Sequence, residues 1–114
     1  MREIGHFING QEVKGTSGRM AEVFNPATGE VQSTVALASK QELDEAVNLA
    51  KEAQPKWAET NPQRRARVLM KFVELLYRDM DKLATVLSSE HGKTLPDAKG
   101  DIVRGLEVAE FCFG

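Results

Sequence analysis

A single cysteine, Cys112, is the only thiol in this chain, so no internal disulfide can form, which suits a reducing, cytoplasmic setting. Long apolar runs are missing too. No segment reaches the run of about 18 apolar residues that a membrane-crossing helix needs, and Met1-Arg2-Glu3-Ile4-Gly5-His6 has none of the apolar stretch of a secretory signal. Neither sign of charge dominates. Fifteen Lys and Arg stand against 17 Asp and Glu, a formal charge of −2, which gives no electrostatic case for a nucleic acid or an anionic membrane as partner. The two histidines, His6 and His91, lie far apart without ligand-like spacing to Asp, Glu or Cys, so no metal site is expected. Nucleotide fingerprints are also missing. There is no Gly-x-Gly-x-x-Gly, and Gly92-Lys93-Thr94, superficially the tail of a phosphate loop, has Leu87 where the first glycine should stand, inside a predicted helix.

What is present reads as strands first and helices after. At 114 residues the chain is long enough for one domain with a core and too short for two. Phe7-Ile8 and Gln11-Glu12-Val13 flank Asn9-Gly10, a strong short hairpin signal. Lys14 to Arg19 is a Gly/Ser/Thr loop. A second hairpin pairs Val23-Phe24 with the alternating Val31, Ser33, Val35 and Leu37 across Asn25-Pro26-Ala27-Thr28-Gly29-Glu30. Proline sets φ for the turn, and Gly29 can close it with φ > 0.

At Ser39 the period changes to that of helices. Ser39-Lys40-Gln41-Glu42 is a capping box, followed by Leu43, Ala46, Val47 and Ala50 at helical spacing. Pro55 is expected to end or kink this helix, with Trp57 packing behind it. Asn61-Pro62 opens a second helix with the apolar stripe Val68, Leu69, Phe72, Leu75 and Leu76. A third run, Asp81 to Ser89, uses Leu83, Val86 and Leu87 and stops at Gly92. Thr94 and Asp97 cap a fourth, carrying Ile102, Val103, Leu106, Ala109 and Phe111. Hairpin strands over 1–37 and helices over 38–114 predict an α+β arrangement. The apolar last turn, Val108-Ala109-Glu110-Phe111-Cys112-Phe113-Gly114, calls for something to pack on and suggests a truncated chain.

Few residues are candidates for chemistry. Cys112 has only Glu110 and aromatic neighbours to activate it, so it reads as a buried core cysteine and not a nucleophile. Arg64-Arg65-Ala66-Arg67 sits at a helix start among apolar residues and reads as a solvated or interdomain face. Arg104 lies at the margin of the fourth apolar stripe, and spacing alone favours a surface arginine or an ion pair with Asp101 or Glu107.

The motifs together point further. Phe7-Ile8-Asn9-Gly10 and Asn25-Pro26-Ala27-Thr28-Gly29-Glu30 resemble the opening of aldehyde dehydrogenases. Arg64-Arg65-Ala66-Arg67-Val68-Leu69, Glu90-His91-Gly92-Lys93-Thr94 and Gly100-Asp101-Ile102-Val103-Arg104-Gly105-Leu106-Glu107-Val108-Ala109-Glu110-Phe111 resemble the CoA-acylating methylmalonate-semialdehyde branch of that superfamily. The resemblance implies an N-terminal portion of the α/β aldehyde dehydrogenase fold, whose remainder lies in further sequence. It implies NAD and coenzyme A as cofactors of the complete enzyme, homo-oligomeric assembly, and oxidation of malonate or methylmalonate semialdehyde to an acyl-CoA with loss of CO2. The family's nucleophile and nucleotide contacts belong to later segments, so these 114 residues alone are expected to hold neither cofactor and to be inactive. Arg104 corresponds to an arginine that recognises the substrate carboxylate in this branch. Its guanidinium can grip a carboxylate through two parallel hydrogen bonds. Two classes of function stay open: a segment of a semialdehyde dehydrogenase of this or a neighbouring branch, and a non-catalytic helical binding or assembly module descended from one.

Overall fold

The turn signals place the strands. A computed structural model describes residues 1–114, which divide by contact into Met1–Glu59 and Thr60–Gly114.

In the first unit, β2 (His6–Ile8) and β3 (Gln11–Val13) form the antiparallel hairpin expected around Asn9-Gly10, with Phe7 opposite Glu12. Asn9 has φ 54° and Gly10 φ 76°, the left-handed pair that a tight two-residue turn demands. The second hairpin joins β4 (Met20–Phe24) to β5 (Val31–Ala36). Its loop is tied by Asn25, whose backbone N–H donates to Glu30 O at 2.8 Å and whose Oδ1 accepts from Ala27 N–H at 2.9 Å. Patterning missed β1 (Arg2–Ile4), which pairs parallel with β5 and makes it the central strand of a sheet ordered β1-β5-β4. Ser33 of β5, paired with β1 on one side and β4 on the other, is buried, as is Ala36, which pairs with Met20.

Helix α1 (Lys40–Glu59) begins at the predicted box: Glu42 N–H donates to Ser39 Oγ at 3.1 Å, and Ser39 N–H to Glu42 Oε2 at 2.7 Å. Pro55 does not end this helix. It lies within α1, on a solvent-facing stretch where water can serve the carbonyl that lost its backbone donor, and helix-forming residues continue on both sides. Trp57 is not packed behind it but stands partly exposed, and α1 buries no residue.

The second unit is helical. Asn61 caps α2 (Pro62–Arg78), its Oδ1 accepting from Gln63 N–H at 2.8 Å. The packed side of α2 shares Leu69, Leu75 and Leu76 with the predicted stripe. Val73 is the buried residue, backed by the half-buried Ala66, Leu69 and Leu76 at spacings of three and four, while Val68 and Phe72 face outward. Helix α3 (Met80–His91) buries Ala84 and stops at Gly92, which takes φ 86° and donates its N–H to Ser88 O at 2.8 Å. Thr94 caps α4 (Leu95–Phe113), which packs on both α2 and α3 and buries Ala98 and Leu106.

One expectation fails at the C-terminal turn. Cys112 is exposed and not buried, whereas Leu106, on the predicted apolar stripe, is 1% exposed. At about 100° per residue, Cys112 and Phe111 fall well round the helix from Leu106, away from the side that α2 and α3 cover. Phe111 is accordingly 87% exposed. No helix of the chain is long and apolar enough to cross a membrane.

Candidate functional site

The α3–α4 connection and the first turns of α4 bring together the densest set of charged groups in the helical unit. Gly92 ends α3, and Ser88 Oγ donates to Lys93 O at 2.6 Å, which shapes the backbone of the connection. Thr94 Oγ1 accepts from Asp97 N–H at 3.4 Å and starts α4 on a defined path. The Lys93 ammonium then reaches Asp101 Oδ2, two turns along α4, although the two residues are eight apart in sequence. One turn further, Arg104 Nη1 donates to Asp101 Oδ1 at 3.0 Å. Asp101 thus takes one cation on each oxygen.

The electrostatics follow. The hydrogen bond from Lys93 holds the Asp101 carboxyl below the usual carboxylate range, against the opposing effect of partial burial, with Arg104 and His91 adding weaker positive influences. Two cations share one carboxylate, which leaves an excess of one positive charge. Arg104 is 80% exposed, and its guanidinium spends only one nitrogen on Asp101. Donors in a planar fork thus remain free, the geometry suited to a carboxylate. The ion pair with Asp101 that spacing favours is formed; no hydrogen bond or ion pair to Glu107 is. Lys93 was not foreseen as a member of the cluster, because nothing local in the sequence says that the connection folds back along α4.

The other sequence candidates do not assemble into a site. Arg64 and Arg67 are exposed and Arg65 half-buried, its Nε sequestered without a hydrogen-bond partner. His6 and His91 lie in different units, and no group of three or more His, Cys, Asp or Glu gathers as metal ligands would. In the first unit a cleft of about 350 Å3 runs between β2–β3 and α1, lined by residues that include Ile8, Val13, Ala46 and Leu49. Its half-buried carboxylate, Glu42, is committed to structure: Oε2 accepts from Ser39 N–H and Oε1 from Thr16 N–H, each at 2.7 Å. These donors hold Glu42 down to a pKa of about 2, the Ser39 backbone contributing most.

At the α3–α4 connection the groups that a phosphate-bearing cofactor such as NAD or coenzyme A would use are engaged within the chain. Both are held largely through phosphates, which need free backbone N–H groups and a free cation. The one turn with suitable composition has none to offer: the Gly92 N–H serves Ser88 O, Thr94 caps α4, and Lys93 is bound to Asp101.

A solved structure from Sinorhizobium meliloti 1021, described as a methylmalonate-semialdehyde dehydrogenase complexed with NAD, is 69% identical over the whole of this chain, with a TM-score of 0.97, and the chain covers 23% of it. Malonate-semialdehyde dehydrogenase 3 of Geobacillus kaustophilus is 45% identical over 99% of the chain and 23% of its own length. The mitochondrial, acylating methylmalonate-semialdehyde dehydrogenase of Arabidopsis thaliana is 46% identical over 97% of the chain and 18% of its own length. The chain therefore spans less than a quarter of the length of these relatives. The model of the aldehyde dehydrogenase family matches residues 13–114. With the β4–β5 hairpin, its Asn25–Glu30 turn and the four helices all inside that match, the chain belongs to the aldehyde dehydrogenase family.

Proposed function

We propose that residues 1–114 form the N-terminal portion of an NAD-dependent, CoA-acylating malonate/methylmalonate-semialdehyde dehydrogenase, with hairpin strands over 1–37 and a helical segment over 38–114. The observation that carries this reading is the 69% identity and TM-score of 0.97 over the full chain with the Sinorhizobium meliloti protein. The complete enzyme would convert a semialdehyde, CoA and NAD to an acyl-CoA, CO2 and NADH, as a cytoplasmic homo-oligomer. NAD is supported by the complex in which that relative was solved, and CoA by the acylating name of the Arabidopsis relative. Both cofactors would be held by sequence outside these residues.

Within that enzyme this segment contributes substrate recognition through Arg104. A 3-oxo acid differs from a simple aldehyde by its carboxylate, and the free side of the Arg104 guanidinium is suited to take it in a two-bond grip. The experiment is NADH formation by the complete enzyme with methylmalonate semialdehyde, and with propanal as an aldehyde lacking the carboxylate. Arg104→Ala is expected to lower kcat/KM for the semialdehyde by at least about 30-fold, the low end for stranding a desolvated charge. Arg104→Lys should recover only part, and propanal should be far less affected. Equal losses on both substrates would make Arg104 a support of the fold and overturn the assignment.

A further inference from the structure

Arg104 has a difficulty that its chemistry alone does not solve. A guanidinium that is 80% exposed at the end of a flexible side chain is not oriented by packing. Recognition through a fork of donors requires the fork to be aimed before substrate arrives, since orientation acquired on binding subtracts from affinity. In this structure one group provides that aim. Asp101, one turn earlier on α4, accepts from Arg104 Nη1 at 3.0 Å, and no other hydrogen bond to Arg104 is formed.

Asp101 is itself held. Its second oxygen takes the Lys93 ammonium from the α3–α4 connection, so the two oxygens point to two cations on different elements and the carboxylate cannot spin freely. The Asp101 and Lys93 side chains are 35% and 22% exposed, far more sheltered than the arginine they serve. The connection carrying Lys93 is in turn fixed by Ser88 Oγ on Lys93 O at 2.6 Å and by the αL turn at Gly92. A chain of contacts thus runs from the end of α3, through Lys93 and Asp101, to the guanidinium.

We propose that Asp101, clamped by Lys93, is a positioning residue for carboxylate recognition: it holds Arg104 by one nitrogen and presents the rest of its fork to the carboxylate of a short 3-oxo acid. The charge count suits this task. Lys93 and Arg104 outweigh Asp101 by one, so one carboxylate from the substrate neutralises the group. Were Asp101 absent, Lys93 and Arg104 would be left as like charges with nothing between them, and the guanidinium would lose its tether. The inference rests on the reading of Arg104 given above and adds two residues that act through it.

The test is a double-mutant cycle in the complete enzyme, read with methylmalonate semialdehyde and with propanal. Asp101→Asn keeps the shape of the side chain and removes its charge. It should raise KM for the semialdehyde by about tenfold, within the range of coupling between members of one hydrogen-bond network, with kcat and propanal turnover little changed. Lys93→Gln should act in the same direction with a smaller effect, and it serves as the second variant where Asp101→Asn disturbs folding. In an Arg104→Ala background neither substitution should raise the semialdehyde KM further. If Arg104→Ala is selective for the semialdehyde while Asp101→Asn and Lys93→Gln are silent, the positioning role is overturned and the Arg104 assignment stands. If Arg104→Ala affects both aldehydes alike, the Arg104 assignment falls first. A lowered semialdehyde KM in Asp101→Asn would make Asp101 a competitor for the guanidinium, and equal losses on both aldehydes would make it a structural residue; either result refutes the proposal.

Discussion

Replacing Leu106 with alanine should remove a large share of the stability of the helical unit. Leu106 is 1% exposed, and its buried apolar companions there are Val73, Ala84 and Ala98, the two alanines fully enclosed. Leucine-to-alanine changes in cores weaken a protein by about 2–5 kcal/mol, with the larger values where surroundings cannot close on the cavity. Full enclosure of Leu106 leaves little room for the surroundings to relax, so about 3 kcal/mol or more is expected. A unit of about 55 residues has roughly 3–8 kcal/mol to lose at ordinary stabilities per residue. The assay is urea unfolding of the 114-residue chain followed by far-UV circular dichroism. With a slope of about 1 kcal/mol per molar urea, the midpoint should fall by roughly 3 M or the variant should be unfolded at the start. Leu106→Met, which conserves volume, should stay within about 1.5 kcal/mol of the parent and keeps the comparison measurable. Phe111→Ala should change stability by no more than about 0.5 kcal/mol, because that ring is 87% exposed. Equal shifts for Leu106→Ala and Phe111→Ala would refute the placement of the core on the Leu106 side of α4.

Three further outcomes concern Glu42 and two of the glycines. Glu42 is held at about pH 2 by its backbone donors, below its ordinary value near 4.5, so its contribution is complete above about pH 4.5 and is lost as pH falls from there through about 2. Thermal melts of the parent chain and Glu42→Gln across that window should converge as pH drops, and parallel curves would show that the Ser39 and Thr16 contacts do not stabilise the fold. Gly15→Ala should be destabilising by about 1–3 kcal/mol, since its Cβ would stand 2.6 Å from the Ala36 Cβ. Gly100→Ala, with nothing within 4 Å and a helical position, should stabilise by about 0.5–1 kcal/mol. Melting temperatures that moved the other way would contradict the two backbone environments.

Features built from neighbours in sequence were legible in the sequence. The Asn9-Gly10 turn, the Ser39–Glu42 box, the Asn61 cap and the Gly92 stop each depend on bonds spanning no more than a few residues, so their residue types suffice to announce them. The same holds for the pairing of Arg104 with Asp101, which lie one helical turn apart, and for the motif series that pointed to the aldehyde dehydrogenases.

Contacts between distant segments were not legible. The parallel pairing of β1 with β5 joins residues about 30 apart, and a strand of three residues has no period to betray it. Which face of α2 packs was decided by α3 and α4: the sequence holds apolar residues on two faces, and only the side with Val73 found neighbours. Pro55 was tolerated because its part of α1 faces solvent, and Cys112 was left exposed because the last turn of α4 rotates it away from the helices it packs on. The sequence by itself determined the two hairpin turns and the helix caps at Ser39, Asn61, Gly92 and Thr94, because those choices are made by bonds within one or two turns of chain. Only the tertiary structure decided which apolar face became core and that Lys93 would close on Asp101, because both depend on surfaces that meet only after the chain has folded.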